Sequence, residues 1–165
     1  IRREEQAAVT AVQGTNARLF INDHWQAAID AGAYGIHVGQ EDLDALEGAQ
    51  LDAIRASGLR LGVSTHGYAE MVRAHAVQPS YIALGAVFPT TLKKMATAPQ
   101  GVARLQAYVR LMQQYPLVAI GGIAAEQFPQ VLSTGVGSIA VVRALVNAPD
   151  PEAAAQDLLS RMHSK

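Results

Sequence analysis

Tyr81-Ile82-Ala83-Leu84-Gly85-Ala86-Val87-Phe88-Pro89-Thr90-Thr91-Leu92-Lys93-Lys94 opens as a short apolar run and passes through Gly85 into a loop of hydroxyls, a proline and paired lysines. An apolar run of this length, bounded by turn residues, reads as a buried strand. The loop after it offers an anionic ligand what it needs: the Thr90 and Thr91 hydroxyls, free backbone N–H groups and the Lys93 ammonium. The other polar clusters fall at the same kind of place, just past the end of an apolar run. Arg18-Leu19-Phe20-Ile21 ends in Asn22-Asp23, Gly35 to Gly39 in Gln40-Glu41-Asp42, and Leu61-Gly62-Val63 in Ser64-Thr65-His66. Leu117 to Ile120 ends in Gly121-Gly122, and Ser138 to Val142 in Arg143.

Helical stretches separate these runs. They are read over Trp25–Ala31, Leu46–Ala56, Tyr68–Val77, Val102–Gln114, Glu126–Ser133 and Glu152–Met162, after a first helix that begins at Arg2, with one extra turn over Ala144–Val146. Glycine or proline stops most of them. Six alternations of strand and helix, with nearly continuous apolar strands, predict an α/β fold with a parallel sheet covered by helices. An open doubly wound sheet would gather its site at one switch point, whereas a barrel uses the C-terminal ends of nearly all its strands. Polar or glycine residues at all six strand ends favour the (β/α)8 TIM barrel. The chain then holds the last six strand–helix units of a single barrel domain. A typical barrel has ~250 residues, so two further units of roughly 30 residues each are expected ahead of Ile1.

Composition narrows the function. The 165 residues are 50% hydrophobic and 16% charged, with a net charge of -1. That balance gives no electrostatic case for nucleic acid or an anionic membrane surface. The absence of cysteine rules out disulfides and thiolate metal sites. No apolar run approaches the ~20 residues of a membrane span, and no signal peptide is visible. A homo-oligomer is allowed by everything in the sequence.

Asp23 and Asp42 end successive strands. Neighbouring strands lie ~4.8 Å apart, so both carboxylates can reach one ion. Two carboxylates without cysteine suit Mg2+, which fills its shell with water and substrate phosphate. Alternatively, each aspartate caps the helix that follows. Gly121-Gly122 and the Val142-Arg143 turn fall at the last two strands, where barrel loops often bind phosphate through backbone N–H groups. Ser64 and His66 can point into the rim; alternatively, the serine caps a helix and the histidine is simply packed or exposed. His37, between Ile36 and Val38, faces away from both and reads as a satisfied structural histidine. His24, His75 and His163 read as surface. A rim with two anion sites, one met by Mg2+ and Lys93 and the other by Gly122 and Val142-Arg143, suggests transfer chemistry in which diphosphate leaves.

Seven stretches together resemble the thiamine-phosphate synthase family: Leu19–Asp23, His37–Asp42, Leu61–His66, Tyr81–Thr90 with Lys93-Lys94, Ala98–Gly101, Ala119–Ile123 and Ile139–Val142. The resemblance covers the chain from about Ala17 to the closing helix. It implies a cytoplasmic transferase acting on small molecules, a pyrimidine diphosphate ester and a thiazole phosphate, which it joins to give thiamine phosphate and diphosphate. By resemblance, Asp23 and Asp42 hold Mg2+, while Asn22, Ser64 and Lys93 contact the pyrimidine diphosphate. Ser64 and Lys93 then serve catalysis. Thr90, Thr91, Leu92, Gly122, Val142 and Arg143 lie around the thiazole phosphate. Leu92 and Arg143 stand where the family usually has hydroxyl residues, so backbone N–H groups are expected to hold the phosphate there. The family's Gln-x-Arg-x-Lys stretch has no counterpart. The alternatives are a thiazole tautomerase of the same fold, which generally lacks the two aspartates, and a non-catalytic phosphate-binding fragment.

Overall fold

The structure, a computed structural model, describes residues 2–90 and 98–163. Helix α1 (Arg2–Val12) leads into β1 (Phe20–Asn22), α2 (Trp25–Ala31), β2 (Gly35–Val38), α3 (Gln40–Ala45), α4 (Gly48–Ala56), β3 (Arg60–Thr65) and α5 (Tyr68–Ala76). Then come β4 (Tyr81–Leu84), α6 (Gly101–Leu111), β5 (Leu117–Ile120), a 3-10 turn (Ala125–Gln127), α7 (Phe128–Leu132), β6 (Ser138–Ala140), α8 (Arg143–Val146) and α9 (Pro151–His163).

The six strands form one sheet in the order β1-β2-β3-β4-β5-β6, and every pairing is parallel. A doubly wound sheet must reverse its strand order somewhere, and this one never does. The sheet is also strongly curled. Phe20 on β1 and Tyr81 on β4 are three strand spacings apart, roughly 14 Å in a flat sheet. Their rings nevertheless meet edge to face with centroids 5.1 Å apart. The result is a half-barrel of TIM type, as the strand-end pattern predicted.

Alternation along the strands separates two faces. Ile36, Val38, Val63, Ile82, Leu84 and Ala119 are at most 2% exposed and form the core with the helices outside them. Phe20, Asn22, His37, Ser64 and Tyr81 occupy the opposite, concave face. From α5, Met71 and Ala74 reach the sheet with no exposed surface. Met71→Ala is expected to cost about 2–5 kcal/mol, because a rigid core only partly closes over the vacated volume. A urea melt of the purified variant checks this, and a midpoint within error of the parent would contradict it.

The structure corrects several boundaries. Strand β3 runs on through Ser64 and Thr65 instead of ending at Val63. Thr65 is buried, and its Oγ1 donates to the Ala83 carbonyl at 3.0 Å, which extends the pairing with β4. Gln40-Glu41-Asp42, where the sequence shows only the end of a strand, is the first turn of α3. Gly39 holds the N-cap position, and acidic residues favour the positive end of a helix. The helix read from Leu46 begins two residues later, at Gly48, where a capping box between Glu47 and Gln50 starts α4. The extra turn is present and begins one residue early, at Arg143.

Candidate active site

At the C-terminal ends of the strands lies a cavity of about 940 Å³. Asn22, Asp23, Asp42, Ser64, Thr90, Gly122, Val142 and Arg143, eight of the positions singled out in the sequence, all line it. Thr91, Leu92 and Lys93 lie outside the described residues. A second concavity of about 570 Å³, under Leu19, Tyr34 and Arg60 at the opposite end of the strands, touches none of the candidate residues.

One side of the cavity is acidic. Asp23 follows β1 with φ +64, a left-handed conformation that aspartate tolerates better than most residues. Its N–H bonds the His37 carbonyl at 2.9 Å and its carbonyl accepts from Trp25 N–H at 3.1 Å, which pins the turn to β2 and to the start of α2. Asn22 Nδ2 donates to Asp23 Oδ2. Asp42 is the third residue of α3 and is exposed to the cavity. Neither aspartate occupies a helix N-cap: those positions belong to His24 and Gly39. The capping alternative therefore loses ground at both sites. Among the described residues no three His, Asp or Glu side chains converge into an all-protein metal cage. Two carboxylates facing a shared space instead suit Mg2+, which binds few protein oxygens and leaves the rest of its octahedron to water and phosphate.

The other side is built from backbone. Gly121 and Gly122 have φ +99 and +66. A Cβ on Gly122 would run into the Phe88 and Pro89 carbonyls, so the β5 turn lies directly against the loop after β4. Val87 N–H to Ile120 O and Phe88 N–H to Gly121 O, both 3.0 Å, lock the two loops together. Gln100 N–H to Ala86 O at 2.8 Å and Gly101 N–H to Val87 O at 2.9 Å bring the chain back beside the same loop. Val142 precedes α8, and its carbonyl accepts from Leu145 and Val146.

Between the two sides stand residues whose connection the sequence does not reveal. His37 Nε2 and Ser64 Oγ are 2.7 Å apart, and His37 Nδ1 and the Tyr81 hydroxyl are also 2.7 Å apart. Burial lowers the His37 pKa and raises that of Tyr81 to about 12, so the phenol keeps its hydrogen at neutral pH. His37 is thus satisfied, as expected, but by partners that tie it to the cavity it lines. Gln40 Nε2 donates to the Ser64 carbonyl at 2.7 Å. His66 pairs with Glu70 at 2.8 Å, and Arg73 with Asp44 at 3.2 Å, at the cavity margin. His24, His75 and His163 are exposed, as expected.

Comparison with known proteins places this geometry. The family model described as thiamine monophosphate synthase matches residues 1–145. The thiamine-phosphate synthase of Cronobacter sakazakii is 60% identical over 153 residues, which span 93% of this chain and 71% of that protein. The thiamine-phosphate synthase of Neisseria meningitidis serogroup A is 56% identical over 153 residues, 93% of this chain and 73% of that protein. Among solved structures, thiamine phosphate pyrophosphorylase from Pyrococcus furiosus superposes with a TM-score of 0.83 at 27% identity, covering 98% of this chain and 77% of that one. The 3-hexulose-6-phosphate synthase of Salmonella typhimurium shares the fold alone, with a TM-score of 0.73 at 14% identity over 98% of this chain and 79% of its own.

Proposed function

Because the chain belongs to the thiamine monophosphate synthase family, we propose that its cavity joins a pyrimidine diphosphate ester to a thiazole phosphate, giving thiamine phosphate and releasing diphosphate. The observation that carries this reading is the convergence of Asn22, Asp23, Asp42, Ser64, Thr90, Gly122, Val142 and Arg143 on one space from six strand ends. The substrates are 4-amino-2-methyl-5-(diphosphooxymethyl)pyrimidine and 4-methyl-5-(2-phosphoethyl)thiazole.

The two sides of the cavity divide the work. Asp23 and Asp42 would hold Mg2+, which when bound supplies positive charge to the diphosphate oxygens as the C–O bond breaks. Asn22 and Ser64 offer donors to the same oxygens, and Lys93 adds its ammonium. Around Gly122, Val142 and Thr90, backbone N–H groups and one hydroxyl receive the phosphate of the thiazole, and Arg143 contributes a charge-assisted contact. The electron-rich aminopyrimidine stabilises the carbocation left behind, so no nucleophile is asked of the protein. The thiazole nitrogen then attacks the exocyclic carbon. Donors aimed at the leaving oxygens act mainly as charge accumulates there, and so raise kcat.

Incubating the purified protein with both substrates, with MgCl2 or with EDTA, tests the proposal. Thiamine phosphate and diphosphate in equal amounts, formed only with the metal, are expected. Turnover of a thiazole tautomer without metal or pyrimidine substrate would replace this reading with the tautomerase, and binding of phosphate without turnover would leave only a phosphate-binding protein.

A further inference from the structure

Tyr81, His37 and Ser64 come from three adjacent strands, β4, β2 and β3, and meet over a residue that has no side chain. In the sheet register His37 lies beside Gly62 and Gly62 beside Tyr81. A Cβ on Gly62 would collide with the Tyr81 ring and hydroxyl, so glycine lets the phenol lie across β3. The Tyr81 and His37 rings stack at 5.6 Å with an interplanar angle of 23°. Phe20 closes on the other side of Tyr81, edge to face at 89°.

The chain of hydrogen bonds has a direction. Among the described residues the His37 ring is the hydrogen-bond partner of the Tyr81 hydroxyl. If Nδ1 carried the imidazole proton, Nδ1–H would donate to the phenol oxygen. The phenolic hydrogen would then lack an acceptor there, in a place where an unmade hydrogen bond is costly. Tyr81 O–H therefore donates to Nδ1. The proton of the neutral ring must then sit on Nε2, which donates to Ser64 Oγ. A charged ring would give the same result at Ser64, since both nitrogens would donate. With its oxygen already accepting from His37, Ser64 keeps its own hydrogen for whatever occupies the cavity.

From this geometry we infer that His37 and Tyr81 are positioning residues, which fix the Ser64 hydroxyl as a hydrogen-bond donor toward the diphosphate leaving group. The inference rests on the synthase reading and deepens it. A fully ionised diphosphate offers only acceptors. A serine whose hydrogen was spent on His37 would present lone pairs to those oxygens, whereas one fed by Nε2–H presents a donor to them. The direction of the relay therefore decides whether Ser64 attracts or repels the departing group as its charge grows. Neither His37 nor Tyr81 needs to touch substrate.

Two measurements test it. The first is the 15N spectrum of the wild-type protein labelled at histidine, which reports which ring nitrogen of His37 bears the proton. Nε2–H is expected, and an Nδ1–H tautomer would overturn the inference. The second is a double-mutant cycle on synthase turnover. Ser64→Ala is expected to lower kcat on the order of 10²-fold, the range for losing one preorganised donor. Tyr81→Phe, which frees the ring to reverse its tautomer, is expected to lower kcat roughly tenfold with the KM for the thiazole phosphate unchanged. In the Ser64→Ala background, Tyr81→Phe should lower kcat no further. His37→Gln, whose side-chain amide can donate to Ser64, should retain more kcat than His37→Leu. Additive losses, or equal losses for the two His37 variants, would mean a merely structural role. If wild-type protein makes no thiamine phosphate, the synthase reading fails by itself, and the nitrogen spectrum still decides the direction of the relay.

Discussion

Asp23→Asn is expected to lower kcat/KM for thiamine phosphate formation by about 10²–10³-fold, corresponding to about 3–4 kcal/mol of lost transition-state stabilisation. The melting temperature should stay within a few degrees of the parent. The two halves of this expectation come from different features of one residue. Asp23 sits at φ +64, and asparagine is among the few side chains that accept a left-handed backbone with little strain. The bonds that pin the turn, Asp23 N–H to His37 O and Trp25 N–H to Asp23 O, are main-chain and survive the substitution. An amide oxygen can still accept from Asn22 Nδ2. What disappears is one of two carboxylate charges, and with it much of the affinity for a hard dication. The rate should therefore need far more Mg2+ to reach its plateau, and the plateau itself should be lower. Initial rates across a magnesium titration separate these effects. A variant with parental rate and parental metal dependence would remove Asp23 from the ion site.

Gly122→Ala is expected to damage stability and binding together. At φ +66 an alanine costs about 1–2 kcal/mol from conformation alone. Its methyl group would also overlap the Phe88 and Pro89 carbonyls, which are backbone and cannot swing aside. Either the β5 turn or the loop after β4 must move, for a combined cost of about 3–4 kcal/mol. For a chain of this size that is a fall of roughly 6–15 °C in melting temperature. The proposed thiazole phosphate subsite uses both loops, so the KM for that substrate should rise tenfold or more. Gly39→Ala is the control at the same cavity. Among the described residues a Cβ there meets only Asp42 Oδ2, at 3.8 Å, and glycine differs from alanine at an N-cap by about 1 kcal/mol. Thermal melts and substrate titrations of both variants check the contrast. Equal behaviour would mean that the interlocked loops tolerate displacement.

Much of this architecture can be read from the chain because it depends on local composition. Strands buried by helices read as continuous apolar runs, and glycine or proline ends the helices, so the six-unit alternation is plain. The site is legible for a related reason: in a parallel barrel every strand end faces the same rim, so residues found after apolar runs are gathered by topology alone. Boundaries were less legible where a polar sequence hides order. Gln40-Glu41-Asp42 reads as the end of a strand and is helix, because the cap comes from the Gly39 backbone and the acids suit the helix start. The relay through His37 was hidden for another reason. It joins β2, β3 and β4 across a register that no window of sequence contains, and its most informative position, Gly62, contributes no atoms to it.

The unbroken strand order has a consequence in time as well as in space. Among the described residues each strand pairs only with the strands before and after it in the chain, and the most distant junction, Ile82 to Leu117, spans 35 residues. A chain leaving the ribosome at about 5–20 residues per second therefore completes each new strand–helix unit when its only earlier sheet neighbour is already available. Within these six strands no pairing waits for a partner encoded much later. Only interior contacts such as Phe20 with Tyr81 must wait for curvature, and they become possible when the fourth strand arrives.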